Sequence, residues 1–192
     1  MENTNDNSRR PDQMKAKEDS PKVQLAVAPI TIQTAKAFVA WTHRHLGPPI
    51  GAKFAVGAKT SNGTLVGVVI LGRLDARTLD DGDTAEITHL CTDGTPNVCP
   101  FLLCLAWRAA RVLGHRRLVT YTHADDPGTS LRAAGYRPVA QVPPEQVPAT
   151  TSRLRTSGEA DNVVRTRWEI KAEGTQLVPD TACRRLPGWE RP

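Results

Sequence analysis

"AEITHLCTDGTPNVCPFLLCLAWRAARVLGHRRLVTYTH", residues 85–123, carries the pattern on which the fold turns. It opens as an alternating run with β-branched residues, which predicts a strand over 85–91. On a regular strand Glu86, Thr88 and Leu90 share one face, and Ala85, Ile87 and His89 the other. The polar loop "TDGTPN" follows. Val98, Phe101, Leu102, Leu105, Ala109, Val112 and Leu113 then recur at helical spacing, predicting an amphipathic helix of about four turns. Gly114 ends it, and "RRLVTYTH" returns to strand.

Upstream, "VQLAVAP" predicts a first strand at 23–28. Thr31 is placed to cap a helix whose buried face is Ile32, Ala35, Phe38, Val39 and Thr42. "LGPPIG" breaks it. Two apolar runs, 53–60 and 64–73, flank Asn62-Gly63, predicting a hairpin closed by two residues of positive φ. "LDARTLDDGDT" is a polar connection. Downstream, "PGTSLRAAG" is a short helix with Pro127 near its start and Gly135 after its end. "YRPVAQV" is a strand, 143–162 reads as a long surface loop, and "VVRTRWEI" is a last strand. There is no internal repeat. The order β-α-β-β-β-α-β-α-β-β specifies an α/β domain with a mixed sheet.

A chain of 192 residues suits one domain with loose ends. Residues 1–22 are polar and lack aromatics, which predicts a disordered tail, and 171–192 read as an irregular one. Lys and Arg total 25 against 20 Asp and Glu, and the excess lies in the body rather than the N-terminal tail. That permits an anionic partner without requiring one. Cys91, Cys99, Cys104 and Cys183 lack C-x-x-C spacing, so a zinc framework and a metal role are not expected. No apolar run approaches the roughly 20 residues that span a bilayer. No membrane association is expected, and a cytoplasmic protein with reduced thiols is the default.

Chemistry would concentrate in the strand-loop-helix of 84–113. A helix N-terminus offers unpaired amides and the positive end of the dipole to phosphates or carboxylates. Gly94 lets the loop turn, and Asn97 can serve as N-cap. "DGTPN" is equally the composition of an ordinary strand-to-helix turn.

The element order, with "LCTDGTPNVCPFLLCLAWRAARVLGHRRLVTYT" followed by "PGTSLRAAGYR", resembles the core of the GNAT (Gcn5-related N-acetyltransferase) superfamily over residues 23–170. The resemblance implies a mixed, mostly antiparallel sheet with splayed central strands and flanking helices. It also implies that the loop entering the long helix holds the pyrophosphate of acetyl-CoA, and that Gly135-Tyr136 ends the short helix. Two positions depart from the superfamily pattern. The Arg/Gln-x-x-Gly-x-Gly/Ala loop is replaced by Thr92-Asp93-Gly94-Thr95-Pro96-Asn97, and Leu131 stands where a general-acid tyrosine often does. The resemblance implies acetyl-CoA or another acyl donor as the small-molecule partner, and these two departures count against acetyl-CoA itself. "HRHLGPPIGAKFAVGA", "EITHLCTDGTPNVCP" and "TYTHADDPGTSLRAAGYR" further resemble a family of GNAT-like proteins carried mainly by phages, plasmids and other mobile elements. That family is remotely similar to the phage Mu protein Mom, which modifies adenine in DNA to evade restriction, so the resemblance extends to a DNA substrate.

Residue by residue, Glu86 inside an apolar strand is either the base that deprotonates an amine or a structural acid paired with an arginine such as Arg73. GNAT enzymes often carry a catalytic Glu on this strand. Tyr121 and Thr122, ending the next strand, are placed to orient substrate or supply a proton, or simply to pack. His43 and His45, at the end of the first helix, are candidate substrate contacts, as is Lys53. Asp93 and Asn97 can hydrogen-bond an exocyclic amine or only satisfy a turn. Cys91 and Cys99 flank the loop, and Cys99 at the helix start is either a thiol of lowered pKa or, as is more usual, a small buried cysteine. Asp125 and Asp126 can cap the next helix. Arg108, Arg111, Arg116 and Arg117 form a basic cluster in sequence. Trp41 and Trp107 read as packing residues.

Three functions fit: a transferase that modifies an amine, such as that of a nucleobase in DNA; an acetyl-CoA-dependent N-acyltransferase of a small molecule or protein; and a non-catalytic nucleic-acid-binding protein on the same fold.

Overall fold

The structure, a computed structural model, describes residues 23–42, 51–72, 74, 81–143 and 163–172. The expected tails at 1–22 and beyond 172 lie outside them, as do the 143–162 loop from residue 144 on, His43, His45 and Arg73.

Ten elements follow in the predicted order. They are β1 (Leu25–Pro29), α1 (Ile32–Thr42), β2 (Ala52–Thr60), β3 (Leu65–Gly72), β4 (Thr84–Thr92), α2 (Val98–Val112), β5 (Arg117–His123), α3 (Thr129–Ala133), β6 (Arg137–Val142) and β7 (Arg165–Lys171). They build one seven-stranded sheet in the order β1-β2-β3-β4-β5-β7-β6. Every neighbouring pair is antiparallel except β4 with β5. A parallel pair needs a crossover, and α2 supplies it. The last strand does not lie at the edge. β7 inserts between β5 and β6, pairing Thr120 with Trp168 on one side and Pro138 with Trp168 on the other.

Two buried clusters lie on opposite faces of the sheet. The larger joins α2 and α3 to Val56, Val69, Leu71, Ala85, Ile87, Leu118 and Trp168. The smaller joins Ala35, Phe38 and Val39 of α1 to Ala55, Val68, Ile70 and Cys91. The α1 face is therefore the one its sequence period predicts. For α2 the expected single stripe is too narrow: Leu103, Ala106, Trp107 and Ala110 are buried as well, whereas Val112 and Leu113 are exposed. Its first three turns are covered on more than one side, so the polar–apolar contrast that sets a stripe is lost there. The Arg111 guanidinium lies over the Trp107 ring, 5.5 Å from its centroid.

Two local expectations are corrected. The β2–β3 hairpin is not closed by a two-residue turn with Asn62 at positive φ. Gly63 alone has positive φ (89°), and its amide donates to the Thr60 carbonyl at 2.9 Å. The loop is thus Ser61-Asn62-Gly63, a turn followed by a left-handed glycine, the three-residue hairpin alternative. Asn62 stabilises it from below: its Oδ1 accepts from the Thr64 amide at 3.2 Å and from the Thr60 hydroxyl.

In β4 the alternation of faces breaks. Ile70 pairs with His89 and Leu71 with Ile87, so Thr88 is an extra residue. A bulge reverses side-chain parity beyond it. Leu90 consequently packs with Ala85 and Ile87 on the α2 face, and Cys91 joins the α1 cluster. His89 turns to the Glu86 face, contrary to the sequence expectation. The Thr88 hydroxyl donates to the Ile70 carbonyl at 3.3 Å, pinning the bulge.

Candidate functional site

The ladder between β4 and β5 is short. Thr84, Ala85 and Glu86 pair with Arg117, Leu118 and Val119, and no pairing of the two strands is found beyond them among the described residues. The first group past the ladder is a side chain: the Thr120 hydroxyl donates to the Ile87 carbonyl at 3.4 Å. From there the strands part, and a cavity of about 940 Å³ opens between them. Its walls come from β4 (Ile87 to Cys91), β5 (Thr120 to His123), the first turns of α2 (Cys99, Leu103) and α3 with the residues before it (Asp126, Gly128 to Leu131). Trp41 and Thr42 at the end of α1 and Arg165 at the start of β7 complete them. A concave, mostly apolar site with a few convergent polar groups is where a small molecule binds.

Tyr121 stands on the wall with its phenol pushed up to about 12. Burial is the main cause. The Glu86 and Glu169 carboxylates add to it, and the Arg167 guanidinium opposes it. The phenol is therefore neutral, a hydrogen-bond and proton donor, throughout the ordinary pH range. The same interaction places Glu86 near Tyr121. Glu86 is fully buried at the last rung of the ladder, just below the parting, and is not part of the wall itself. Thr122 also lines the cavity. Its Oγ1 accepts from Trp168 Nε1 at 3.0 Å and donates to the His123 carbonyl at 3.1 Å, so it supports the wall as much as it faces the space.

Cys91 and Cys99 line the same cavity. Burial pushes the Cys91 thiol up to about 12, with a further rise from Cys99 nearby. Cys99 also rises, chiefly by burial, although a hydrogen bond with the Thr92 side chain opposes the shift. Of the two readings of Cys99, burial is the one its surroundings favour. Burial favours the protonated thiol at both positions.

The loop before α2 stands beside the cavity: Asp93, Gly94 and Asn97 are exposed and are not among its walls. Asn97 is the N-cap residue by position only. It is left-handed (φ 65°), and no side-chain cap hydrogen bond forms. Asp93 takes the turn role, its Oδ1 accepting the Thr95 amide at 2.9 Å. The Asp93 amide donates to the Val66 carbonyl, that of Gly94 to Thr92 Oγ1, and that of Val98 to the Thr95 carbonyl.

Lys53 is exposed on β2 and does not line the cavity. The basic cluster is dispersed by the fold. Arg117 donates to Thr84 Oγ1 and to Asp81 Oδ2, each at 2.7 Å, and Arg111 covers Trp107. The expected helix-capping role of Asp125 and Asp126 is corrected: the N-cap of α3 is Gly128 with no side-chain cap hydrogen bond, and Asp126 instead closes the turn before it, its Oδ1 accepting the Gly128 amide at 2.8 Å. Among the described residues no group of three or more His, Cys, Asp or Glu is arranged to hold a metal ion. No helix among them is long and apolar enough to cross a membrane.

Sequence reading missed Thr88, His89, His123, Arg165 and Trp41 as wall residues. The bulge hid His89, and Arg165 arrives from a strand inserted more than forty residues after β5. Trp41 carried a usable signal, an aromatic directly before a helix-ending polar run. It is 71% exposed, held edge-on by Phe38 at 6.0 Å between ring centroids, while Trp107 is buried as expected.

No family model matches the chain, and no curated protein matches it. Solved structures do. A Bacillus subtilis acetyltransferase in complex with CoA superposes with a TM-score of 0.53 at 14% identity, over 79% of this chain and 100% of the other. For yncA of Salmonella typhimurium with its cofactor acetyl-CoA the score is 0.55 at 15% identity, over 81% and 98%. Spermidine N-acetyltransferase from Vibrio cholerae, in complex with CoA and spermine, gives 0.53 at 11% identity, over 77% and 95%. These likenesses agree with the mixed, mostly antiparallel sheet and its parted centre: the chain has the GNAT acetyltransferase fold.

Proposed function

We propose that the protein is an N-acyltransferase that modifies an amine in the cleft between β4 and β5. The observation that carries this reading is the pairing of a buried carboxylate and a neutral phenol, Glu86 and Tyr121, at the point where the strands part. Acyl transfer to an amine is accelerated by both. The amine nitrogen attacks the acyl carbonyl carbon and must lose a proton, which Glu86 accepts through a water at the ladder's end. The bond from that carbon to the donor's leaving atom breaks, and the leaving atom takes the Tyr121 proton. Burial keeps the phenol protonated, so the proton is in place beside the leaving atom, and Glu86 returns the amine's proton to the phenolate through water to close the cycle. The similar enzymes that act with CoA, including the one bound to spermine, support this class of reaction.

The finer reading is that the acceptor amine sits on a planar ring, as the exocyclic amine of a nucleobase does. Trp41 favours it, an exposed indole at the cavity edge that can stack on a ring face. Mass spectrometry of nucleosides from the DNA of expressing cells tests this. We expect a new acylated base that disappears with Glu86→Gln. Unmodified DNA, together with acylation of an aliphatic amine by the purified protein, would leave the transferase reading standing and remove the nucleobase.

A further inference from the structure

The GNAT fold implies a CoA thioester whose diphosphate lies against the amides at the head of the helix after β4. The residues present here do not fit that group. Positions 93–100 would have to supply the cradle. Pro96 and Pro100 have no amide hydrogen to give. Of the others, Asp93, Gly94, Thr95 and Val98 already donate within the chain, to the Val66 carbonyl, Thr92 Oγ1, Asp93 Oδ1 and the Thr95 carbonyl. Only the amides of Asn97 and Cys99 take no part in these described hydrogen bonds. The Asp93 carboxylate stands on the same loop and would repel an anion. No Lys or Arg occurs between Leu90 and Trp107 to offset it. The helix dipole is the one favourable term left, and it is weak at an exposed end.

The cavity beyond the loop is of another kind. Ile87, Leu90, Leu103 and Leu131 line its body together with Thr120 and Thr122, while the charged side chains in its wall are Asp126 and Arg165, the latter at the start of β7, with His89 and His123 beside them. The body suits an uncharged arm with apolar and amide character.

We infer that the head of α2 does not hold a diphosphate, and that the donor of this chain is an acyl group carried on an uncharged arm recognised by the cleft alone. The inference rests on the transferase reading for the word donor, but its first half concerns only the loop.

Calorimetry with the full chain tests it, using acetyl-CoA and S-acetylpantetheine, which share the thioester arm and differ in the nucleotide diphosphate. The expected result is affinities equal within about threefold, a difference below roughly 0.7 kcal/mol. Asp93→Asn combined with Pro96→Ala, which removes the charge and restores an amide, should then raise the affinity for acetyl-CoA about tenfold or more and leave that for acetylpantetheine unchanged. Wild-type protein binding acetyl-CoA about 100-fold tighter than the neutral arm would overturn the inference. Binding of neither compound would overturn its second half, the uncharged arm. The transferase reading is judged separately, by the acylated product, so the two can fail independently.

Discussion

Replacing Gly128 by Ala should damage the molecule far more than a surface glycine change normally does. Gly128 ends the loop from β5 with φ 63°, and a Cβ built there would lie 2.2 and 2.3 Å from two ring carbons of Trp168. Trp168 cannot yield easily. It is 1% exposed, its Nε1 is bonded to Thr122, and the Arg132 guanidinium covers its ring at 5.0 Å. Left-handed backbone costs a non-glycine residue roughly 1–2 kcal/mol. Forcing a core side chain aside adds roughly 1–3 kcal/mol, and a lost hydrogen bond about 1 kcal/mol. The sum is roughly 3–6 kcal/mol, a large part of a typical domain's stability. It corresponds to a drop in Tm on the order of 10 °C for a chain of this size. Gly114→Ala is the control. It has the same sign of φ (90°) and nothing within 4 Å of the new Cβ, so only the backbone cost applies. Urea unfolding of both variants measures the difference. Equal destabilisation would refute the reasoning, because the contact with Trp168 would then contribute nothing. Since Thr122 and Gly128 both line the cavity, the near-ultraviolet circular dichroism of Trp168 should change with Gly128→Ala alone.

Glu86→Gln should lower the rate of amine acylation by a factor on the order of 10² or more with little change in acceptor KM, the signature of a lost general base; initial rates that match wild type would remove Glu86 from the mechanism. Tyr121→Phe should alter alkaline stability. The folded phenol is raised above its ordinary value near 10 to about 12, so the stability it gives is complete below about pH 10 and is lost as the pH climbs toward 12. Wild type should therefore weaken relative to Tyr121→Phe across that window in urea melts, and parallel curves would contradict the burial argument. Trp41→Ala should raise KM for a ring-bearing amine about tenfold, Trp41→Phe much less, and an aliphatic amine should respond to neither; equal effects on both amines would deny the stacking role. At pH 7.5 iodoacetamide should leave Cys91 and Cys99 unmodified in the folded protein and label them in urea, as mass mapping would show; rapid labelling of Cys99 when folded would contradict its upward shift.

The parts of the site that sequence made legible are those carried by single elements. Glu86 stood out as a charge in an apolar strand, and Tyr121 and Thr122 as polar residues ending the next one. Cys91 and Cys99 flanked a turn-rich loop. All four wall or rung positions in β4 and β5 follow from locating the strands correctly. The errors came where one residue's geometry depends on a distant partner. Asn62-Gly63 marks a hairpin whichever turn forms, and pairing around Lys59 and Leu65 selects the three-residue loop. Cys99 lies at a helix start, where sequence leaves a lowered thiol and a buried one open, and only the burial that folding brings favours the second. Asn97 has the composition of a cap and the dihedral angles of a turn.

The sequence by itself determined the ten elements, their order and the main buried faces, because periods of 2 and 3.6 are local properties of the backbone. Tertiary structure decided the rest. The Thr88 bulge arises from pairing with β3, and it moves His89 and Leu90 to opposite faces. The parting of β4 from β5 after Glu86 creates the cavity, and the insertion of β7 beside β5 brings Arg165 to its edge. Neither event leaves a mark in the alternation of any one strand. Strand partners are chosen by the free energy of the whole sheet, and only that choice turns separate residues into a site.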